Sequence, residues 1–192
     1  MKEVTSEFSD AVLVCVGGVP KWLPREDYWS FLVDVIRENN LEGKVILKDR
    51  IAHANLPMLY ALSKVSVLPS FYEGFPKVVI EAMACSKPVV VTRRSGAEEL
   101  VDEGKSGFLV DYGSADQLAD EIIKVLGDEA MGRRMGEYGR QRVERDFTWD
   151  MVASRVGATY DEIFQRADSM RNRPSDRDST SQHSSASGRG MA

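Results

Sequence analysis

Two carboxylates, Glu73 and Glu81, flank the stretch Gly74-Phe75-Pro76-Lys77-Val78, and the order of residue types around them suits anion binding. The apolar run Val65 to Leu68 comes just before, followed by Pro69-Ser70-Phe71-Tyr72, so the segment reads as strand, loop and helix. Gly74 permits close backbone approach or an unusual dihedral. Pro76 suits the first helical position, where its missing N–H costs nothing. The N–H groups from Lys77 and Val78 onward then point at the ligand edge of a sheet, beside the positive end of the helix dipole, and make a phosphate-sized anion site. Carboxylates aimed at a phosphate would repel it, so Glu73 and Glu81 make better acceptors for sugar hydroxyls on either side of it. The competing reading is that both are solvated surface residues. The setting of Glu81 argues against that, because Ile80 and Ala82-Met83-Ala84 give a helix apolar nearly all round and expected to be buried. A charge there needs a partner or a ligand.

The elements that must hold this segment alternate along the chain. Ala11 to Val16 is a continuous apolar run ended by Gly17-Gly18 and reads as a strand buried on both faces. Glu26 to Asn40 is an amphipathic helix, Lys44 to Lys48 a strand, and Asn55 to about Ser63 a helix with Pro57 in its first turn. Next come a strand at Val65 to Leu68, a helix at Pro76 to Ala84, a strand at Pro88 to Thr92, a short helix at Ala97 to Asp102 and a strand at Gly107 to Val110. Asp116 to Leu126, Glu129 to Arg145 and Trp149 to Arg166 are helical, the last two broken near Asp146-Phe147-Thr148. The spacing predicts an α/β fold with a doubly wound, Rossmann-like parallel sheet of about five strands, which binds ligands at the carboxyl ends of its strands. A nucleotide-sugar-binding domain over 1–166 would be followed by a disordered Ser/Arg-rich tail over 167–192, which cannot bury enough apolar area to offset its ordering entropy.

A net charge of -5 provides no basic field for nucleic acid. Cys15 and Cys85 sit in apolar runs without metal-ligand spacing or a secretory leader ahead of them, so they read as buried thiols of a cytoplasmic protein. No stretch approaches the roughly 20 apolar residues that span a bilayer, so any membrane contact would be peripheral and made by parts outside this sequence. Gly17-Gly18 lacks the glycine pattern of a dinucleotide turn, and Lys21-Trp22-Leu23-Pro24 breaks the helix start that such a turn needs. His53 lies near the expected ligand side, although a lone histidine is usually a surface residue, and His183 falls in the tail. Trp22, Trp29 and Trp149 read as packing anchors. Spacing supports neither a Ser-His-Asp or Cys-His set nor a metal cluster.

The stretch Pro69 to Val91 (PSFYEGFPKVVIEAMACSKPVVV) resembles the donor-site signature of the retaining glycosyltransferases of family four, which have the two-domain GT-B fold. Ser95-Gly96-Ala97-Glu98-Glu99-Leu100-Val101 and Gly104-Lys105-Ser106-Gly107-Phe108-Leu109-Val110 resemble the loop, helix and strand that follow in that family, so the likeness covers roughly Ala11 to Phe164. The resemblance implies a glycosyltransferase donor domain that takes a nucleotide diphosphate sugar, without a metal, and passes the glycosyl group to a glycan, lipid or small-molecule acceptor. Glu73 would act on hydroxyls of the transferred sugar as the catalytic carboxylate, and the backbone from Gly74 through Phe75, Pro76 and Lys77 to Val78 would cradle sugar and diphosphate. Glu81 would hold the ribose hydroxyls, and the loop Asp49-Arg50-Ile51 would approach the base. The helix starting near Thr148 resembles the one that crosses back to the family's N-terminal domain.

Three departures qualify that picture. Ser86 stands where the family has Gly, at a helix end that favours a left-handed residue. Ser95-Gly96, preceded by Arg93-Arg94, replaces a pair of glycines, and the arginines read either as facing phosphate or as a solvated loop pair. The family's donor domain also begins with a strand whose following loop gives an Arg and a Lys to the diphosphate, and Ala11 to Val16 matches the second strand instead. The expectation is a domain lacking its first strand, inactive alone, with a separate N-terminal acceptor domain as partner. The alternative reading is a non-catalytic nucleotide-sugar-binding module or split subunit; an epimerase or phosphorylase relative is a third. The exposed side of an unpaired Ala11 to Val16 strand predicts dimerisation or poor solubility.

Overall fold

A computed structural model describes residues 1–17, 25–93 and 96–171. Gly18, the Lys21 to Pro24 segment with Trp22, Arg94, Ser95, His183 and the tail from 172 onward lie outside the described residues. The chain divides into two compact units, Met1–Thr148 and Trp149–Ala192.

The first unit opens with a helix that the sequence reading missed, α1 (Lys2–Glu7), whose Val4 is buried and which packs on α5. Then follow β1 (Leu13–Val16), α2 (Arg25–Glu38), β2 (Val45–Lys48), a 3-10 turn at His53–Asn55, α3 (Leu56–Leu62), β3 (Ser66–Leu68), α4 (Lys77–Ala84), β4 (Val89–Thr92), β5 (Gly107–Val110), α5 (Ala115–Gly127) and α6 (Glu129–Asp146). The second unit carries α7 (Trp149–Arg171), which runs past Arg166, so the expected tail begins in a helix. The expected helix at Ala97 to Asp102 is a turn, closed by Leu100 and Val101 N–H groups on the Ala97 carbonyl. It stops there because the next amides turn to other partners: Asp102 N–H donates to the Ser106 hydroxyl.

All strand pairs are parallel, as the alternation predicts, but the strands form two sheets, β1-β2 and β3-β4-β5, rather than one. The second sheet holds the core. All of β4 is buried: Val89 and Val91 pack with Val79, Ala82 and Met83 of α4 and Val143 of α6, while Val90 packs on the other face with Phe108, Val110, Val125 and Met135. A continuous Val run is what a strand covered on both faces looks like. β1 was read the same way and differs. Val14, Cys15 and Val16 are exposed, because among the described residues β1 pairs with β2 alone, and a cleft lies between it and Trp29 and Leu32 of α2. Cys15 is therefore an exposed thiol rather than a buried one, and Cys85 is half-buried. Trp149, read as a packing anchor, is also exposed.

Candidate functional site

The loop Pro69 to Pro76 leaves the carboxyl end of β3 and enters α4. Pro76 is the N-cap residue (φ -75°, ψ 85°) rather than the first helical one; its non-helical ψ ends the loop, and its carbonyl accepts from the Val79 N–H at 3.0 Å. Among the described residues no side chain caps α4, which leaves the Lys77 and Val78 N–H groups at the start of its first turn without a capping side chain. Pro76 is buried while Lys77 and Val78 are exposed, which turns the start of the helix outward.

Glu73 is half-buried, and its Oε1 accepts from the Ser70 hydroxyl at 2.8 Å. The Thr92 hydroxyl at the end of β4 donates to the Ser70 carbonyl and fastens the loop to the sheet. From the far side comes Gly96, at φ +73°, packed so closely that a Cβ there would lie 2.7 Å from the Glu73 carbonyl oxygen. Gly96 and the buried Ala97 after it are held by the turn 97–106, which α6 clamps: the Tyr138 hydroxyl donates to Asp102 Oδ2 at 2.7 Å, and Arg142 pairs with Oδ1 of the same carboxylate and donates to the Glu99 carbonyl. Burial pushes the Asp102 pKa up, but the Tyr138 and Arg142 hydrogen bonds outweigh it and leave the pKa lowered.

Glu81 is not enclosed, because α4 is buried on one face only, through Val79, Ala82 and Met83. Its side chain keeps 27% exposure and has found partners: Oε1 lies 3.2 Å from His53 Nε2, and Oε2 accepts from the Tyr60 hydroxyl at 3.5 Å. Tyr60 also donates to the Val78 carbonyl at 3.3 Å. Burial, and then the negative charge of Glu81, push its pKa up to about 12. The loop after β2 is brought to α4 through that histidine: Arg50 is exposed, its N–H donates to Asp49 Oδ1 at 2.8 Å, and Ile51 is half-buried two residues ahead of His53. Among the described residues no hydrogen bond or ion pair joins Glu73 to Glu81, or either of them to Arg50, so the site is a row of groups along one edge. Phe75 is 54% exposed in this loop, and the Phe71 ring packs tilted, at 59°, against Tyr112 after β5 with 4.8 Å between centroids. Arg93 pairs with Glu103 at 3.1 Å and Asp111 at 3.7 Å, while Arg94 lies outside the described residues.

Sequence reasoning passed over Ser70 and Tyr60, named Gly96 only beside Ser95 in place of a glycine pair, and set His53 aside. The signals available were faint: a tyrosine on a short helix needs a partner for its hydroxyl when buried, and a glycine before a buried alanine can mark a close backbone contact.

The chain matches the family described as glycosyl transferases group 1 over residues 1–142. It is 30% identical over 156 residues to N-acetyl-alpha-D-glucosaminyl L-malate synthase of Bacillus anthracis, an alignment covering 81% of this chain and 39% of that protein. Among solved structures it resembles sucrose-phosphate synthase from Thermosynechococcus elongatus (TM-score 0.74, 31% identity, 86% of this chain and 42% of that one). It also resembles Anabaena HepE in complex with UDP (TM-score 0.72, 26% identity, 83% and 44%). The chain thus spans about two fifths of the length of the relatives it matches, over the Rossmann-like C-terminal half of the GT-B architecture. On its sequence match and its fold together, it belongs to the glycosyl transferases group 1 family.

Proposed function

We propose that the edge formed by the β3–α4 loop, α4 and the loop after β2 binds the nucleotide diphosphate sugar of a retaining glycosyl transfer. In this reading Glu81 accepts the ribose hydroxyls, the uncapped first turn of α4 takes phosphate oxygens together with the Gly74 to Val78 backbone, and Glu73 faces the transferred sugar. Asp49, Arg50 and Ile51 lie on the side of the base. The observation that carries the reading is Glu81: a carboxylate held by Tyr60 and His53, on the same short helix as an uncapped N-terminus. A vicinal diol offers two donors to a carboxylate, and a phosphate suits a helix N-terminus, so the arrangement matches a nucleoside diphosphate in both parts. The UDP complex of HepE supports the choice of ligand class. Transfer to a glycan, lipid or small-molecule acceptor needs an aligned acceptor and cations at the leaving diphosphate, so the domain at 1–166 binds the donor while catalysis requires a separate acceptor domain. Cytoplasmic location and independence from metal belong to the same proposal.

Titration of UDP-, GDP- and ADP-sugars against the chain and against Glu81→Ala tests it. Binding of one nucleotide class, weakened about tenfold or more by the substitution, is expected for the loss of a charge-assisted hydrogen-bond pair. Equal affinity of the two proteins, or no binding by either, would overturn the assignment.

A further inference from the structure

The loop between β3 and α4 is pinned at Ser70, whose carbonyl accepts from the Thr92 hydroxyl, and at Glu73, whose Oε1 accepts from the Ser70 hydroxyl at 2.8 Å and whose carbonyl Gly96 packs against. Phe71 and Tyr72, between those anchors, nevertheless stand 69% and 75% exposed. The turn after β5 is pinned as well: the Ser114 N–H donates to the Asp111 carbonyl at 3.1 Å, and the Asp111 N–H donates to Gln117 Oε1 at 2.9 Å. Tyr112 in that turn is 58% exposed and meets Phe71 as the tilted ring pair already described. In the sheet β4 lies between β3 and β5, so the pair bridges the carboxyl end of β4. Burying rings of this size is strongly favourable. Two of them held open on fastened loops at a ligand edge form an apolar patch of the kind that marks a binding surface.

We propose that the Phe71–Tyr112 pair is a stacking platform for a pyranose ring of the acceptor, which makes the acceptor a saccharide. A pyranose presents an apolar face of C–H groups, which packs on an aromatic ring, and a rim of hydroxyls, which needs hydrogen-bonding groups beside it. Both are present. Glu73, in the same turn as Phe71, gives Oε1 to Ser70, and among the described residues its Oε2 and the Tyr112 hydroxyl have no hydrogen-bond partner. An alkyl chain or a lipid surface is a poorer occupant, because the carboxylates of Glu73 and Asp111 flank the rings in their two loops and the net charge of -5 opposes an anionic surface. The acceptor role rests on the donor reading, in which Glu73 faces the transferred sugar: rings carried by the same turn then meet the sugar that receives it. The rings lie across the end of β4, whereas the groups assigned to the nucleotide reach Glu81 from the loop after β2 and from α3. Since both loops are already fastened, binding orders little more of the chain.

The test is an NMR titration of the full chain, labelled on its aromatic side chains, with maltotriose, chitotriose and mannotriose, each with and without UDP. At least one trisaccharide is expected to shift the Phe71 and Tyr112 ring signals saturably. Phe71→Ala should weaken that binding by about fivefold or more, as expected for the loss of one ring contact, while Phe71→Trp retains it. Sorbitol, which has the hydroxyls without a ring face, and hexanol, an alkyl chain without a sugar, should leave both rings unshifted. UDP should shift the amides at the start of α4 equally in the parent chain and in Phe71→Ala. Trisaccharide shifts at the rings with no response to UDP would contradict the donor reading and support the saccharide platform alone. Unshifted rings with all three trisaccharides, equal shifts from hexanol, movement of these two ring signals on dilution without sugar, or shifts seen only with UDP-glucose would each overturn the proposal.

Discussion

Gly96 is the residue on which the shape of the candidate site depends most directly. Its φ of +73° and the 2.7 Å separation between a built Cβ and the Glu73 carbonyl oxygen leave no room for a side chain. Gly96→Ala should therefore cost about 1–3 kcal/mol, seen as a lower unfolding midpoint in denaturant, and should weaken UDP-sugar binding by displacing Glu73. Tyr60 gives a second test at this scale. Its pKa of about 12 reflects burial first and the Glu81 charge next, so Glu81→Gln, which removes the charge, should lower the value measured from its ring resonances in an NMR titration. An unchanged value would mean that Glu81 does not face Tyr60. Of these residues the sequence declared Glu73 and Glu81, because their setting between Gly74 and an apolar helix is unusual for a carboxylate. It was silent on Tyr60 and marked Gly96 only beside Ser95 in place of a family glycine pair, because their roles are contacts across the fold, 21 residues from Glu81 in one case and against the Glu73 carbonyl in the other.

At the scale of elements, α4 is the centre, its one buried face packed against both β4 and α6. Gly136 of α6 meets the α4 terminus so closely that a Cβ would lie 2.0 Å from the Ser86 carbonyl oxygen. Gly136→Ala should thus destabilise the first unit by about 1–3 kcal/mol in spite of alanine's better helix propensity. Ser86 itself adopts φ 56°, the left-handed value expected where the family has Gly. Ser86→Gly should stabilise by about 0.5–1 kcal/mol once the greater chain entropy of Gly in the unfolded state is offset against the relieved strain. The clamp of Asp102 by Tyr138 and Arg142 adds a pH dependence of known sign. Its lowered pKa means that the folded state binds the proton less readily than the unfolded one, so its stabilisation is present above the ordinary aspartate range and is lost as pH falls through the folded value. Asp102→Asn should flatten the acid limb of the stability curve. Most element boundaries were legible because a buried parallel strand writes a continuous apolar run and an amphipathic helix a period of 3.6. α1 was not, being a short helix whose one buried contact, Val4, carries no periodic signal.

For the whole molecule the sequence pattern conveyed strand order along the chain but not which strands would pair. The Val-rich run at β1 looks like the run at β4, yet one is exposed and the other fully buried, since burial depends on a neighbour that composition does not record. The exposed edges of β1 and β3 should make the isolated chain self-associate at roughly tens of micromolar, which sedimentation velocity would detect; a monodisperse monomer would count against it. The central claim is that α4 binds a nucleoside diphosphate by its first turn and by Glu81. It is tested most directly by titrating UDP and inorganic diphosphate into the labelled chain and into Glu81→Ala while following backbone amides from Gly74 to Glu81. Both ligands should shift the amides at the start of α4, and the substitution should weaken UDP about tenfold while leaving diphosphate unchanged, as expected if Glu81 holds the ribose. Shifts confined to other parts of the chain, or an equal loss for both ligands, would contradict it.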